Sequence, residues 1–513
     1  MLKIFHIDGN FALWRQDTIK KLLTDVAHMG YNTILWELEN QVQLDTLKSA
    51  NLPEAMSKSE FKKLLNFASS LKLEAIPALQ TMGHAEYVLL NPDFFKFREN
   101  PARHDCYCTS EPDVRKFLKS LIDEYLSIFG EVRFFHLGGD EVYEFGSCPA
   151  CKQRIAKVGH NKFYYEHLEE ISDTLFQKNI RPGIWGDMML SHYEDIINVS
   201  KKFVIWDWNY WHGSEKLINS DEIIEKFPEL KNKSGKVNGF YTVDLLQNNG
   251  FEVIRCCASR SAGDHVFLPS YKIHADNILG TVKLAKNRDL LGICMTSWSL
   301  RLINYQMQMP LVNLLCNALN SRQARSKTIQ MRQYETYFGV AGAKHFYRFT
   351  DKRLEYHPFN ITNRIGLQWN NLKDQLPAPA DLIEQNIKQY KKDPARWADR
   401  YEQLAKAKNQ MQLFKSNLVK TLNVAEHNKK LLSAYLEATQ YSIIYLDVIE
   451  AVLKKSDNSA FDIAKVEAQL KQLKTYSYNL FLREQAEISA KTKINILWNP
   501  LITYFNLDTL KSI

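Results

Sequence analysis

Nowhere in this 513-residue sequence does an apolar run approach the length of a membrane span, so no membrane partner is expected. The first segment, Met1-Leu2-Lys3-Ile4-Phe5-His6-Ile7-Asp8, is too short and too polar for a signal peptide. It reads as a first strand, and a cytoplasmic location is the expectation. Net charge is +8, but the lysines and arginines are spread among acids. No basic stripe with interleaved aromatics exists, which argues against nucleic acid as a partner. No glycine-rich phosphate loop opens a helix after an early strand, which disfavours a doubly wound dinucleotide-binding sheet. Internal repeats and low-complexity tracts are absent as well. What remains is ordinary for a globular protein, 45% hydrophobic and 24% charged. The 10 tryptophans lean modestly towards flat apolar ligands such as sugar rings, although filling a large core explains most of them.

Cysteine is scarce too, at eight residues, and its placement matters more than its number. Cys106 and Cys108 form C-x-C, and Cys148 and Cys151 form C-x-x-C. Four thiolates in two close pairs could hold a tetrahedral zinc. Reduced thiols or disulfides are the commoner outcome for pairs about forty residues apart, and no metal or cofactor is assigned. Cys256, Cys257, Cys294 and Cys316 read as buried core residues.

Residues 1–340 alternate short apolar runs with amphipathic helical segments. In the first helix Asp17 is positioned to cap, Ile19, Leu22, Leu23, Val26 and Met29 recur at helical spacing, and Gly30 ends it. Strand candidates are Lys3–Ile7, Thr33–Trp36, Leu73–Ala78, Val132–Leu137, Ile180–Trp185, Phe203–Asp207, Glu252–Cys256 and Leu290–Thr296. Eight β/α units predict an α/β fold, a (β/α)8 TIM barrel. Over residues 341–513 the strand-like runs vanish. Stretches such as Trp397–Leu422 and Leu431–Lys454 repeat apolar residues at helical spacing, and Ser456-Asp457-Asn458-Ser459 breaks two long helices. This predicts an α-helical C-terminal domain whose default role is support or homodimerisation.

The most informative stretch is Phe134-Phe135-His136-Leu137-Gly138-Gly139-Asp140-Glu141. Inside a strand, adjacent acids would point to opposite faces. At a strand end, two glycines let the backbone turn both carboxylates into one cleft, where environment can divide acid and charge-stabilising roles between them. A loop acid pair or a helix cap is the bland alternative. The other strand ends, where such barrels place function, supply Asp8, Glu37 and Glu39, Gly83-His84, Trp185 and Asp187, Trp206, Asp207, Trp208 and Tyr210, and Trp298. Acids, one histidine and several tryptophans therefore converge on one rim.

This constellation resembles glycoside hydrolase family 20, the β-N-acetylhexosaminidases, and within it the hexosaminidase D type. His136-x-Gly138-Gly139-Asp140-Glu141-Val142 is similar to the family's His-x-Gly-(Gly/Ala/Cys)-Asp-Glu signature. Ala78-Leu79-Gln80-Thr81-Met82-Gly83-His84 resembles the strand 3 segment, and Trp206-Asp207-Trp208-Asn209 and Thr296-Ser297-Trp298 resemble the strand 6 and strand 8 ends. The resemblance implies exo-acting, retaining, substrate-assisted hydrolysis of terminal β-linked N-acetylglucosamine or N-acetylgalactosamine, without a cofactor. Glu141 would be the general acid and base, and Asp140 would orient the 2-acetamido group. Tyr210, with Tyr241 and Tyr271 behind it, is the candidate to grip the acetamido oxygen. Trp185, Trp206 or Trp208, and Trp298 would form the apolar box. His84 would steady the acid with Glu37 or Glu39 behind it, and Asp8 and Asp187 would bind sugar hydroxyls.

Two departures touch the sugar contacts. Asp8-Gly9-Asn10 stands where larger family members carry a strand 1 arginine, and Arg301 is displaced from the position usual after the strand 8 tryptophan. The preference between the two N-acetyl sugars is therefore not legible. The competing readings are a carbohydrate-binding barrel without turnover and an enolase-like barrel using carboxylates to hold magnesium.

Overall fold

The computed structural model describes the chain except residues 11, 192, 212, 214–216, 219–220, 233, 262–263, 300–303, 323–324, 352–378 and 513. Arg301 thus lies outside the described residues. The chain divides into two compact units, Met1–Ala258 with Asp276–Ser297, and Ser259–Ala275 with the described residues from Trp298 onward.

The first unit contains all eight predicted strands: β1 (Leu2–Asp8), β2 (Thr33–Glu37), β3 (Glu74–Ala78), β4 (Phe134–His136), β5 (Arg181–Trp185), β6 (Val204–Trp208), β7 (Glu252–Arg260) and β8 (Gly292–Ser297). They close in the order β1-β8-β7-β6-β5-β4-β3-β2, and the last two residues of β7 are counted with the second unit. Parallel strands covered by helices are buried on both faces, which is why they appear as continuous apolar runs rather than as alternation. β2 illustrates this, with all five residues buried. Register sets side by side Asp8 and Glu37, Glu37 and Ala78, Ala78 and His136, and His136 and Gly183.

The first helix runs Gln16–Met29, burying Ile19, Leu22, Leu23 and Val26 on one face. Gly30 ends it in the left-handed region at φ 97°, donating to the carbonyls of Val26 and Ala27. Asp17 is not its cap. Arg15 occupies that position without a side-chain bond, and Asp17 lies in the first turn, where its charge favours the helix dipole.

The second unit is built mainly from helices, including Pro394–Val424, Lys429–Ser456, Ile463–Leu482 and Glu487–Tyr504. The break over 457–462 falls where the turn-rich segment predicted it. Among the described residues, no helix is long and apolar enough to cross a membrane.

Candidate active site

β4 is three residues long and fully buried. Beyond it the backbone stays paired, with Leu137 donating to the Gly183 carbonyl and Trp185 donating to that of Gly138. Gly138 and Gly139 then adopt φ of 69° and 88°. A Cβ at Gly138 would stand 2.0 Å from Gln80 Oε1, so only glycine allows this approach between the extensions of β3 and β4. Glu141 follows at φ 48°, a left-handed conformation unusual for a non-glycine residue. It is anchored by its N–H, which donates to Asp187 Oδ2 at 3.0 Å. His84, after β3, also lies in this region at φ 51°, as does Glu39 after β2 at φ 42°. Backbone strain of this kind costs about 1–3 kcal/mol per residue and tends to gather where geometry serves function.

The turn brings both carboxylates to one imidazole. His84 Nε2 stands 3.4 Å from Asp140 Oδ2 and 3.6 Å from Glu141 Oε2. Their access to solvent differs: the Asp140 side chain is 10% exposed, and that of Glu141 41%. Burial opposes charge on His84, yet the field of Asp140 and the contacts to both acids hold its pKa well above the ordinary histidine value. These surroundings favour the protonated ring. Asp187 spends one oxygen on the Glu141 N–H and the other on Trp208 Nε1, at 3.1 Å. Desolvation, reinforced by the negative charge of Asp140, pushes its pKa up to about 7. One carboxylate thus ties the backbone of Glu141 to an aromatic wall.

Several expected residues lie a layer deeper. Glu37 accepts from Gln80 at 2.7 Å and bonds His6 at 2.9 Å, so these two side chains are its direct partners, while it acts on His84 through its field. Although burial alone would raise its pKa, these partners bring it below the usual value. Glu39 is buried, and desolvation with the charges of Glu37 and Asp8 holds its pKa well above the carboxylate range. Asp8 is buried, accepting from Asn10 N at 2.6 Å in the turn after β1. Trp185 and Trp206 are each only 1% exposed, packed edge to face against one another; Trp206 meets His136 edge to face, and Trp185 meets it at a tilt. For the acids the physical reason is register: Asp8, Glu37 and His136 share one level of the sheet, below the turn that lifts Asp140 and Glu141. Trp185 pairs with Trp206 two residues further along, beside Gly138, and both are buried by ring packing. Trp208, partly exposed, stacks on Tyr210 with ring centroids 5.4 Å apart. The Tyr271 hydroxyl is engaged inside the second unit by Tyr435 and the Met307 carbonyl, and Tyr241 opens the helix Tyr241–Asn248. Trp298 follows β8 but belongs to the second unit, so its expected place in the box rests on the sequence.

Three supporting residues went unassigned in the sequence. Gln80 lies against Gly138, Tyr164 donates to the Gly139 carbonyl at 3.2 Å, and Thr81 Oγ1 donates to the Leu137 carbonyl at 2.6 Å. Gln80 and Thr81 lie inside the strand 3 motif, which was the available signal; Tyr164 sits mid-helix with none. Two groups among the described residues bring potential metal ligands within 4.8 Å of one another, His6-Asp8-Glu37 in the barrel lumen and Glu99-Cys108-Cys148-Cys151.

Residues 5–222 match the family model "Glycosyl hydrolase family 20, catalytic domain". Hexosaminidase D of Bos taurus is 25% identical over 230 residues, covering 42% of this chain and 66% of that protein. Hexosaminidase D of Homo sapiens is 25% identical over 217 residues, covering 40% of this chain and 45% of that one. The chain therefore spans just under two thirds of the first relative's length and less than half of the second's. A solved beta-N-acetylhexosaminidase from Bacteroides fragilis aligns with a TM-score of 0.46 at 16% identity, covering 61% of this chain and 65% of its own.

Proposed function

We propose that this chain, whose residues 5–222 match the catalytic-domain model of glycosyl hydrolase family 20, is an exo-acting, retaining β-N-acetylhexosaminidase that uses its substrate's acetamido group as nucleophile. The observation that carries this reading is the grouping of a buried carboxylate, a half-open carboxylate and a histidine within 3.6 Å at the end of β4. Glu141, the open one, protonates the glycosidic oxygen as the bond to C1 breaks. The acetamido carbonyl oxygen attacks C1 from the opposite face, giving a cyclic oxazolinium ion. Asp140 accepts the acetamido N–H and balances the positive charge that develops there. Glu141 then takes a proton from water, which opens the ring at C1 with net retention. Because the nucleophile arrives already attached, its attack is intramolecular and gains the corresponding proximity advantage.

The remaining residues follow from these roles. Trp208 and Tyr210 flank the acetamido group, and the Tyr210 hydroxyl grips its oxygen. Asp187 fixes Trp208 and the Glu141 backbone together, so the proton donor and the wall keep one spacing. A panel of aryl N-acetylglucosaminides, N-acetylgalactosaminides and unacetylated glycosides tests the reading. Cleavage confined to the N-acetyl sugars is expected; equal cleavage of unacetylated sugars would overturn it.

A further inference from the structure

Two of the three loops nearest the carboxylates are joined by a second polar cluster that the reaction does not use. We propose that Glu99, Cys108, Cys148 and Cys151 bind one structural zinc ion, which fastens the loop after β3 to the loop after β4. The C-x-C and C-x-x-C spacings suggested four thiolates, but Cys106 turns its thiol to the Tyr107 carbonyl at 3.5 Å. Glu99 takes the fourth place.

The geometry suits a tetrahedral ion. One ligand atom from each of the four residues lies within 4.8 Å of all the others. Cys108 Sγ stands 3.7 Å from Cys148 Sγ and 3.8 Å from Cys151 Sγ. A tetrahedron with zinc–sulfur bonds of about 2.3 Å requires sulfurs about 3.8 Å apart. Cys148 is the N-cap of the helix Pro149–Val158, so its sulfur sits at the helix's positive end. Outer bonds orient the ligands: the Cys148 N–H donates to Glu99 Oε1 at 2.8 Å, and the Cys151 N–H donates to Cys148 Sγ at 3.3 Å.

An independent observation points to a cation. Glu99 is only 1% exposed, yet it forms no ion pair with a lysine, arginine or histidine among the described residues. A carboxylate buried in that setting is stabilised by a counter-charge, which a metal ion would supply. A disulfide would use two of the three thiols and leave the third beside the buried acid. A metal accounts for all four groups at once.

The site's position gives it a role. The loop after β3 carries His84 and leads through Cys108 into the helix Pro112–Phe129; the loop after β4 carries Asp140 and Glu141 and leads into the helix that Cys148 opens. Weaker ties run beside the cluster, with Arg103 3.2 Å and Asn100 3.0 Å from Glu144. Zinc would therefore hold His84 in place against the acid pair without touching substrate.

The test is metal content of the full-length chain, grown with added zinc and purified without chelator, read by mass spectrometry and zinc X-ray absorption. About one zinc per chain is expected, with three sulfur neighbours and one lighter atom. Cys148→Ser and Cys151→Ser should lose most of it, Glu99→Gln should bind more weakly, and Cys106→Ser should keep it. Zinc below about a tenth per chain, equal loss in Cys106→Ser, iron in its place, or a disulfide among the three cysteines in non-reduced peptide maps would each overturn the proposal. If the serine variants fail to fold, the wild-type absorption spectrum decides alone.

Discussion

Both units of the chain bury a carboxylate whose pKa is driven upwards, and they do so to different ends. In the helical unit, desolvation pushes Glu484 up to about 8 despite the nearby positive charges of Arg260 and Lys493. It accepts the backbone N–H of Tyr305, the first residue of the helix Tyr305–Asn320, at 3.2 Å. That is a closed arrangement, 4% exposed, in a turn between two helices that holds no left-handed residue. At the barrel rim, the raised carboxylate of Asp187 stands beside two further acids and an imidazole, two of the group sit in left-handed backbone, and one acid is open to solvent. A perturbed pKa alone therefore does not separate chemistry from architecture. Access, strain and the convergence of like charges do.

The sharpest way to break the comparison is to neutralise one residue at a time. Glu141→Gln should lower turnover of an aryl N-acetylglucosaminide by about 10²–10⁴-fold with KM little changed, because only proton transfer is lost. Asp140→Asn should cost about 10²–10³-fold and also weaken inhibition by a thiazoline analogue of the cyclic intermediate, which measures charge balance directly. His84→Gln should lower kcat/KM about tenfold or more. It should also move the alkaline limb of the pH profile upwards, since an adjacent cation favours the ionised form of Glu141 and its removal raises that pKa. An alkaline limb that stays in place would mean that His84 does not act on the acid.

The smallest effect belongs to the helical unit and is one of stability. Glu484 titrates near the ordinary carboxylate value when unfolded and at about 8 when folded. The folded state holds the extra proton in between, so stability is full at low pH and falls as pH rises to about 8. Asp187 adds a similar slope only up to about 7. Glu484→Gln should therefore flatten the melting temperature between pH 7 and 8, where the slope is at most about 1.4 kcal/mol per pH unit, and leave turnover unchanged.

Much of this was legible in the sequence. The eight strands showed as apolar runs because both faces of a parallel barrel strand are covered, and the Gly-Gly-Asp-Glu turn announced itself because only glycines permit it. Layering was not legible. Asp8 and Glu37 sit at strand ends in the sequence, but register sets them level with His136, before the turn that carries Asp140 and Glu141, a relation between strands that no single strand encodes. Glu99 gave no signal either, since a lone loop glutamate acquires meaning only when distant cysteines fold onto it.

The most direct test of substrate assistance is a series of aryl glycosides whose N-acetyl methyl carries zero to three fluorines. Each fluorine weakens the carbonyl oxygen as a nucleophile while barely altering size. If the acetamido group attacks C1, kcat/KM must fall steeply along the series. A flat series with full cleavage would contradict it and make Asp140 or another protein group the nucleophile.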